Sequence, residues 1–264
     1  MRISSEQLIE TEDDLYPYCD GKPIAESDLT RDYLFYGVEA LSIYFQNRKD
    51  VYVSGNLFIY YQEGVPQSVV APDVFVVFGV EKKKRKTYKL WEEGGKVPSF
   101  ILEITSNETK KVDEEEKPLT YQKLGVEEYF QYDPAGDYLK QQLKGVRLVE
   151  GVYQPIAKSV ATGGVSMYSE TLGLDLRLTN GELRFYNPRT NEKLLSHREN
   201  NEARLAEVQA MEEAKARLEA EKKQVAATQA MQEAVPRLLA FGLSVEQIAA
   251  ALSWSVEEVR ELGK

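Results

Sequence analysis

Two residue types that dominate active-site chemistry are almost missing from this chain of 264 residues. It has one cysteine, Cys19, and one histidine, His197. A single cysteine excludes an internal disulfide, and one residue of each type cannot assemble a His/Cys zinc site within one chain. His197 lies in a charged stretch away from any strand pattern, which argues against a Ser-His-Asp triad. Carboxylates, lysines and hydroxyls remain, an inventory suited to Mg²⁺ or Mn²⁺ chemistry on phosphate esters.

Long apolar runs are also missing. No run of apolar residues is long enough to span a bilayer. The first fourteen residues hold six ionisable side chains and no apolar core, so we expect no signal peptide. Together with the cysteine count, these features predict a cytoplasmic protein.

Excess basic charge is lacking as well, since the formal net charge is −10. The acidity is concentrated at the ends. Residues 1–30 carry 2 basic and 8 acidic side chains, residues 199–264 carry 8 and 12, and residues 31–198 carry 23 of each. The neutral middle of the chain is therefore compatible with a local positive patch and a nucleic-acid partner.

The middle of the chain alternates helical and strand patterns. After an acidic lead-in at 1–30, apolar residues at helical spacing predict a helix over 34–45. Strand patterns follow at 51–61, 74–80, 100–105 and 127–133, an amphipathic helix is predicted over 109–125, and short strand-like pieces separated by glycine turns fill 137–187. This order predicts an α/β or α+β domain over 31–198, with a mixed sheet flanked by helices.

The composition changes near residue 198. Residues 199–234 are rich in Ala, Glu, Lys and Gln, and Met211, Leu218 and Val225 repeat at seven, which predicts a coiled-coil helix and a dimer. We expect Pro236 to end that helix. Capping boxes at Ser244 and Ser255 predict two short helices, so 235–264 form a helix-turn-helix-like module. Its second helix is acidic, which favours a protein contact over DNA reading.

Two carboxylates stand where the strand patterns should not tolerate them. Asp73 directly precedes the apolar run 74–80, and Glu103 lies inside 100–105 between Leu102 and Ile104. A buried carboxylate is costly unless it is compensated. A salt bridge or a turn is the ordinary explanation. A divalent cation held by both acids is the functional one.

Several motifs in order resemble the Uma-two family of restriction-endonuclease-like proteins. They are Val53–Tyr61, Ala71–Val80, Tyr88–Gly94, Pro98–Ser106 and Leu124–Pro134. The resemblance covers roughly residues 30–198. It implies a PD-(D/E)XK nuclease fold, a divalent metal site with Mg²⁺ or Mn²⁺, and DNA as substrate.

The resemblance assigns roles to three residues. Asp73 matches the Asp of the family's Pro-Asp motif and Glu103 the acid of the next strand, so both are expected to bind the metal. The superfamily's usual lysine position holds Thr105 here. Lys117 matches the lysine that the next helix supplies and is expected to assist charge stabilisation or to orient the water, although Pro118 follows it and restricts its backbone. Lys110, Lys111 and Lys123 remain alternatives, as does a plain surface role for Lys117.

Other positions leave alternatives open. Asn56 stands where some family members carry a third Asp, and Glu39 is either an extra ligand or a solvent-facing helix residue. The basic run of Lys82, Lys83, Lys84, Arg85 and Lys86 is either a DNA phosphate contact or a solvated loop.

Three functional readings remain open. The first is a metal-dependent endonuclease that hydrolyses DNA. The second is a non-catalytic DNA-binding or protein-assembly module on a nuclease fold, because fold alone does not establish activity. The third is a coiled-coil regulator whose α/β domain binds a small acidic or phosphate ligand.

Overall fold

The computed structural model describes residues 15–19, 27–106, 111–161 and 164–263. The chain divides into two compact units, Met1–Arg198 and Glu199–Lys264. This division falls where the composition changes. Among the described residues, no helix is long and apolar enough to cross a membrane.

The first unit contains two α-helices and thirteen strands in its described part. The helices are α1 (Asp28–Tyr44) and α2 (Lys117–Leu124). The strands are β1 (Val51–Ser54), β2 (Ile59–Tyr60), β3 (Val69–Val70), β4 (Val74–Phe78), β5 (Tyr88–Lys89), β6 (Phe100–Ile104), β7 (Glu128–Tyr132), β8 (Leu143–Val149), β9 (Val152–Pro155), β10 (Lys158–Ala161), β11 (Gly164–Ser169), β12 (Leu174–Thr179) and β13 (Glu182–Tyr186). A 3₁₀ turn covers Leu90–Glu93, and a π-helical segment, Val112–Glu116, leads directly into α2.

The central sheet has the order β1-β4-β6-β7-β8-β9. Only β6 and β7 run parallel in it; the other described pairs are antiparallel. A second sheet, β10-β11-β12-β13, and a small sheet, β3-β2-β5, complete the unit. This architecture confirms the predicted mixed sheet flanked by helices.

Alternate side chains of the central strands enter two separate cores. In β6, Phe100, Leu102 and Ile104 join the core shared with α1 and the second sheet. Ile101 points to the other core, which contains Tyr121 of α2. Because both faces of the central sheet are covered, the sequences of β4 and β6 are nearly continuous apolar runs. Glu103 therefore lies on the α2 side, among apolar residues.

The prediction of one strand pattern over 51–61 is wrong in one respect, because this segment forms two strands that belong to two different sheets. β1 pairs with β4, whereas β2 pairs with β3 and β5. Between them Asn56 adopts a left-handed backbone with φ +48°. A Cβ on Gly55 would lie 2.1 Å from the carbonyl oxygen of Asp73. The chain thus bends where its backbone approaches the start of β4, and only glycine fits there.

Part of the acidic lead-in packs on the domain, although residues 1–14 and 20–26 lie outside the described part. Tyr16 is buried, and its ring contacts Tyr60 and Trp91. Tyr60 donates a hydrogen bond to the carbonyl oxygen of Pro17 at 2.7 Å. Residues 15–19 therefore pack on the small sheet.

The second unit consists of the long helix α3 (His197–Ala240) and the short helices α4 (Val245–Leu252) and α5 (Val256–Leu262). Both predicted capping boxes are present, at Ser244 and Ser255. The expected end of the long helix at 234 is wrong, because α3 continues through Pro236. Val235, Leu238 and Leu239 pack with α4 and α5, which offsets the backbone hydrogen bond that proline removes.

Candidate active site

Two carboxylates meet where the start of β4 lies beside the end of β6. These strands are antiparallel, with Val74 opposite Leu102, so Asp73 comes next to Glu103. Asp73 Oδ2 accepts a hydrogen bond from the backbone N–H of Ile104 at 2.7 Å. The backbone N–H of Asp73 donates to Glu103 Oε2 at 3.3 Å. Backbone contacts on both sides therefore fix the two acids against each other.

Lys117 joins this pair from the first residue of α2. Its Nζ lies 2.9 Å from Glu103 Oε2 and 2.9 Å from Asp113 Oδ1. Pro118 is tolerated because the first turn of a helix has no partner for its missing N–H. Lys111 and Lys123 are exposed, and Lys110 lies outside the described residues. Of the predicted lysines that are described, Lys117 is the one that contacts Glu103.

Asp113 is a site residue that the sequence analysis missed. It is 2% exposed and lies on the π-helical segment, one turn before Lys117. The hydroxyl of Thr105 donates to Asp113 Oδ2 at 2.8 Å, while Tyr129 and Gln131 donate to its carbonyl oxygen. Thr105, which occupies the superfamily's usual lysine position, thus holds Asp113, the acid that pairs with Lys117. The four-residue spacing of Asp113 and Lys117 was the available signal, but three further acids beside Asp113 obscured it.

Glu103 is fully buried and is held by a second donor. The hydroxyl of Tyr121, one turn after Lys117 on α2, donates to Glu103 Oε1 at 2.7 Å. Burial, and then the charge of Glu103, raise the pKa of Tyr121 well above its usual value. Tyr121 therefore remains protonated and a hydrogen-bond donor.

The electrostatics of the cluster reflect its excess of negative charge. Burial, and then the nearby Glu103 carboxylate, raise the pKa of Asp73 well above its usual value. Burial alone would lower the pKa of Lys117, but the charges of Glu103, Asp113 and Asp73 outweigh it and raise that pKa. Lys117 is therefore a permanent cation. Three carboxyl groups therefore surround one ammonium group.

That charge excess and the oxygen donors fit one divalent cation. No three His, Cys, Asp or Glu side chains in the described part of the chain are grouped so that they could hold an ion. Mg²⁺ usually takes one or two carboxylates and completes its shell with water and substrate phosphate oxygens. Asp73 and Glu103 could supply those two carboxylates.

The other predicted positions lie apart from these contacts. Glu39 Oε2 accepts a hydrogen bond from the backbone N–H of His197 at 3.2 Å, at the start of α3. Asn56 is exposed, and its N–H donates to the carbonyl oxygen of Pro72. Neither residue has a described contact with Glu103 or Lys117.

The basic run is divided between one structural residue and several exposed ones. Arg85 pairs with both oxygens of Glu93, at 2.7 and 2.9 Å, and its guanidinium lies 4.3 Å from the ring centre of Tyr52. Its side chain is 4% exposed, too enclosed for a phosphate contact without rearrangement. The exposed residues of the run are Lys82, Lys83, Lys84 and Lys86.

Comparison with known proteins gives the family. A family model described as "Uma2: Putative restriction endonuclease" matches residues 4–179. The chain belongs to the Uma2 family. The match confirms the resemblance and begins earlier than the expected residue 30, in keeping with the packing of residues 15–19. No curated protein matches the chain.

Family membership suggests a nuclease-like function and DNA as the kind of substrate. Restriction-endonuclease-like proteins generally use divalent metals. The long helix that follows the matched region lies outside the Uma2 model.

Proposed function

We propose that this Uma2 protein is a metal-dependent endonuclease that hydrolyses DNA phosphodiester bonds. In this proposal Asp73 and Glu103 hold Mg²⁺ or Mn²⁺, and Lys117 stabilises charge on the scissile phosphate. The observation that carries it is the convergence of two acids, from adjacent strand ends, with the lysine at the start of α2. Family membership gives independent support.

Each residue has a defined task in this chemistry. A bound divalent cation polarises a phosphoryl oxygen and lowers the pKa of a coordinated water. Asp73 is oriented by the N–H of Ile104, and Glu103 by the hydroxyl of Tyr121. Lys117 keeps its charge because its pKa is raised. It can therefore stabilise developing negative charge, but it is unsuited to act as a general base at neutral pH.

The first test is cleavage of supercoiled plasmid with Mg²⁺ or Mn²⁺, with EDTA as the blank. Glu103→Gln keeps the shape of the side chain and removes its charge, so we expect cleavage to fall to background. Glu115→Gln is the matched control, since Glu115 is an exposed acid on the π-helical segment. Equal cleavage by wild type and Glu103→Gln would identify a contaminant and refute the assignment.

Lys117→Met separates charge stabilisation from metal binding. We expect cleavage to drop by about 10²–10³-fold, the usual loss when one preorganised transition-state contact is removed. Mn²⁺ binding, followed by calorimetry, should persist. Full cleavage by Lys117→Met would remove this lysine from the mechanism.

The alternative, a non-catalytic DNA-binding or assembly module, is distinguished by metal binding. Calorimetric titration with Mn²⁺ should give one site in the wild type and none in Asp73→Ala. Absence of Mn²⁺ binding, or binding that is indifferent to Asp73→Ala, would favour the non-catalytic module.

Exposed lysines of the basic run are proposed to contact DNA phosphates, with Arg85 holding their loop in place. Lys84→Gln should weaken duplex binding modestly and leave the unfolding midpoint unchanged, because Lys84 is exposed. Arg85→Gln should lower the midpoint, because it removes the Glu93 pair. If Lys84→Gln left the affinity for duplex DNA unchanged, a phosphate contact by Lys84 would be excluded.

Self-association through the long helix is proposed as well. Met211, Leu218 and Val225 repeat at seven and are 68%, 52% and 50% exposed in the single chain. A second copy would bury this seam. Light scattering after size exclusion should give a dimer for the wild type and a monomer for Leu218→Glu. A monomeric wild type at micromolar concentration would contradict the proposal.

A further inference from the structure

A second polar cluster lies on the β12–β13 hairpin. Arg177 and Arg184 face each other directly in the register of the two strands. Like charges directly opposite each other destabilise a sheet pair. The neighbours on their face include Thr179, Glu182 and Tyr186, whereas Leu183 and Phe185 enter the core. An opposed arginine pair is therefore a costly arrangement that calls for an explanation.

Existing contacts hold the two guanidinium groups but do not use all of their donors. Arg177 pairs with Asp175 at 2.9 Å and donates to Asn191 at 2.6 Å. Arg184 donates to the carbonyl oxygen of Leu183, and its guanidinium lies 4.6 Å from the ring centre of Tyr36. Within the described part of the chain, the Nε atoms of both arginines are buried without a hydrogen-bond partner. An unused buried donor is costly unless a ligand completes it.

A cleft opens beside these arginines. It encloses about 360 Å³, and its lining adds Asn180, Glu182 and Lys193 to the arginine pair. An isolated backbone bridge pairs Lys193 with Tyr186, which places Lys193 beside the cleft. Three cations and one acid therefore surround the cleft, in a domain whose overall charge is neutral.

This hairpin abuts the end of the central sheet that carries the carboxylates. The hydroxyl of Tyr132 donates to the carbonyl oxygen of Gly181, in the β12–β13 turn, at 2.5 Å. Tyr132 is the strand partner of Ile104, whose N–H binds Asp73. The cleft and the acids thus lie toward the same end of the sheet, with Tyr132 and Glu103 on opposite faces of it.

We propose that the Arg177–Arg184 cleft binds a phosphate group of the DNA backbone, at a distance from the cleaved bond. Guanidinium groups are well suited to phosphate, because their planar N–H donors bind its oxygens in pairs. A phosphate in the cleft would add negative charge beside the two arginines, which already pair with Asp175 at 2.9 Å and with Glu182 at 3.9 Å, and would offer acceptors to their remaining N–H donors. The choice of DNA as the source of the phosphate rests on the proposed nuclease function.

The first experiment measures duplex binding without cleavage. A fluorescein-labelled 30-base-pair duplex is titrated in EDTA, and binding is followed by anisotropy at several salt concentrations. Arg184→Gln should weaken binding about tenfold and reduce the salt slope by about 1, as expected for one lost phosphate contact. Arg31→Gln changes an exposed arginine that pairs with Asp28; it is the matched control and should change affinity less than about twofold. Equal losses in the two variants would overturn the proposal.

A second measurement uses the unaltered protein, so that it does not depend on how a variant folds. The ¹⁵Nε–H resonances of arginine are followed while inorganic phosphate, and separately the duplex, is added. Saturable shifts of the Arg177 and Arg184 signals with either ligand support the cleft. Shifts with phosphate but not with duplex restrict it to a small phosphate ligand and refute the DNA source. No shift with either ligand overturns the proposal.

The two proposals fail in different ways. Plasmid cleavage that does not depend on Glu103 would refute the nuclease assignment and leave binding in EDTA intact. Arg184→Gln with normal duplex affinity would refute the cleft and leave metal-dependent cleavage intact.

Discussion

Glu103 and Glu128 are both fully buried, and they lie on the adjacent parallel strands β6 and β7. Glu128 pairs with Arg147 at 2.8 Å and accepts hydrogen bonds from Ser169, Thr171 and the N–H of Glu170. Arg147 also pairs with the exposed Glu170 at 2.6 Å, so one cation serves two acids there, and Glu128 has a full set of donors. Glu103 instead shares a single lysine with two other acids. Burial of a carboxylate alone therefore does not mark a functional site, and the excess of acids around one lysine is what distinguishes the proposed site at Glu103.

The largest effect is expected from removing the structural glutamate. Glu128→Ala leaves several donors without their acceptor and leaves Arg147 with Glu170 as its remaining acid partner, and breaking a buried ion pair costs about 3–5 kcal/mol. Urea unfolding would measure the loss. Glu103→Gln should cost less, because Gln keeps one acceptor oxygen, Lys117 keeps Asp113 as its partner, and the repulsion with Asp73 is relieved. A larger loss for Glu103→Gln than for Glu128→Ala would reverse the comparison.

A smaller effect is expected from removing one donor at each glutamate. Tyr121→Phe and Ser169→Ala each delete a hydrogen bond to a buried carboxylate, worth about 1.5–3 kcal/mol. Tyr121→Phe should in addition weaken Mn²⁺ binding about 10–100-fold, because Tyr121 orients a proposed ligand. Ser169→Ala is the control and should leave Mn²⁺ affinity unchanged. Equal effects on metal binding would show that Tyr121 acts only on stability.

The smallest effect, and one of opposite sign, is expected from Asp73→Asn in metal-free buffer. The raised pKa of Asp73 means that the folded protein binds its proton more tightly than the unfolded chain. Wild-type stability is therefore lost as pH rises from the unfolded-state pKa through the folded-state pKa. Asp73→Asn removes that loss, so it should gain on the order of 1 kcal/mol at neutral pH and nothing in acid.

Thermal unfolding in EDTA at pH 3.5 and pH 7 would check the prediction for Asp73→Asn. A destabilised variant at pH 7 would mean that the Asp73 charge is already compensated without metal. Gained stability together with lost Mn²⁺ binding would indicate a site that trades stability for function.

Much of the fold followed from local sequence patterns. The short helices α4 and α5 begin directly after the predicted capping residues Ser244 and Ser255, because each capping box satisfies its own helix's N–H groups within four residues. Strands β4, β6 and β7 were visible as apolar runs, because strands covered on both faces carry apolar side chains at successive positions. Asp73 and Glu103 stood out for the same reason, as charges in or beside such runs.

Other features depended on contacts between distant segments. The strand pattern at 51–61 was divided by the close approach of Gly55 to Asp73, and Pro236 was retained in α3 by packing against α4 and α5. Arg85 looked like its lysine neighbours in the sequence, but Glu93 and Tyr52 enclose it. None of these partners is a close neighbour in the sequence.

The sequence by itself determined the order of the helices and strands, and it singled out the carboxylates of Asp73 and Glu103. Both results follow from local properties, namely hydrophobic periodicity and the cost of burying a charge. Tertiary structure decided which lysine and which third acid surround Glu103. That choice depended on the π-helical segment and α2, which bring Asp113, Lys117 and Tyr121 onto the end of β6. Electrostatic partners are set by distances of a few ångströms between side chains, and those distances exist only once the sheet and helix have packed.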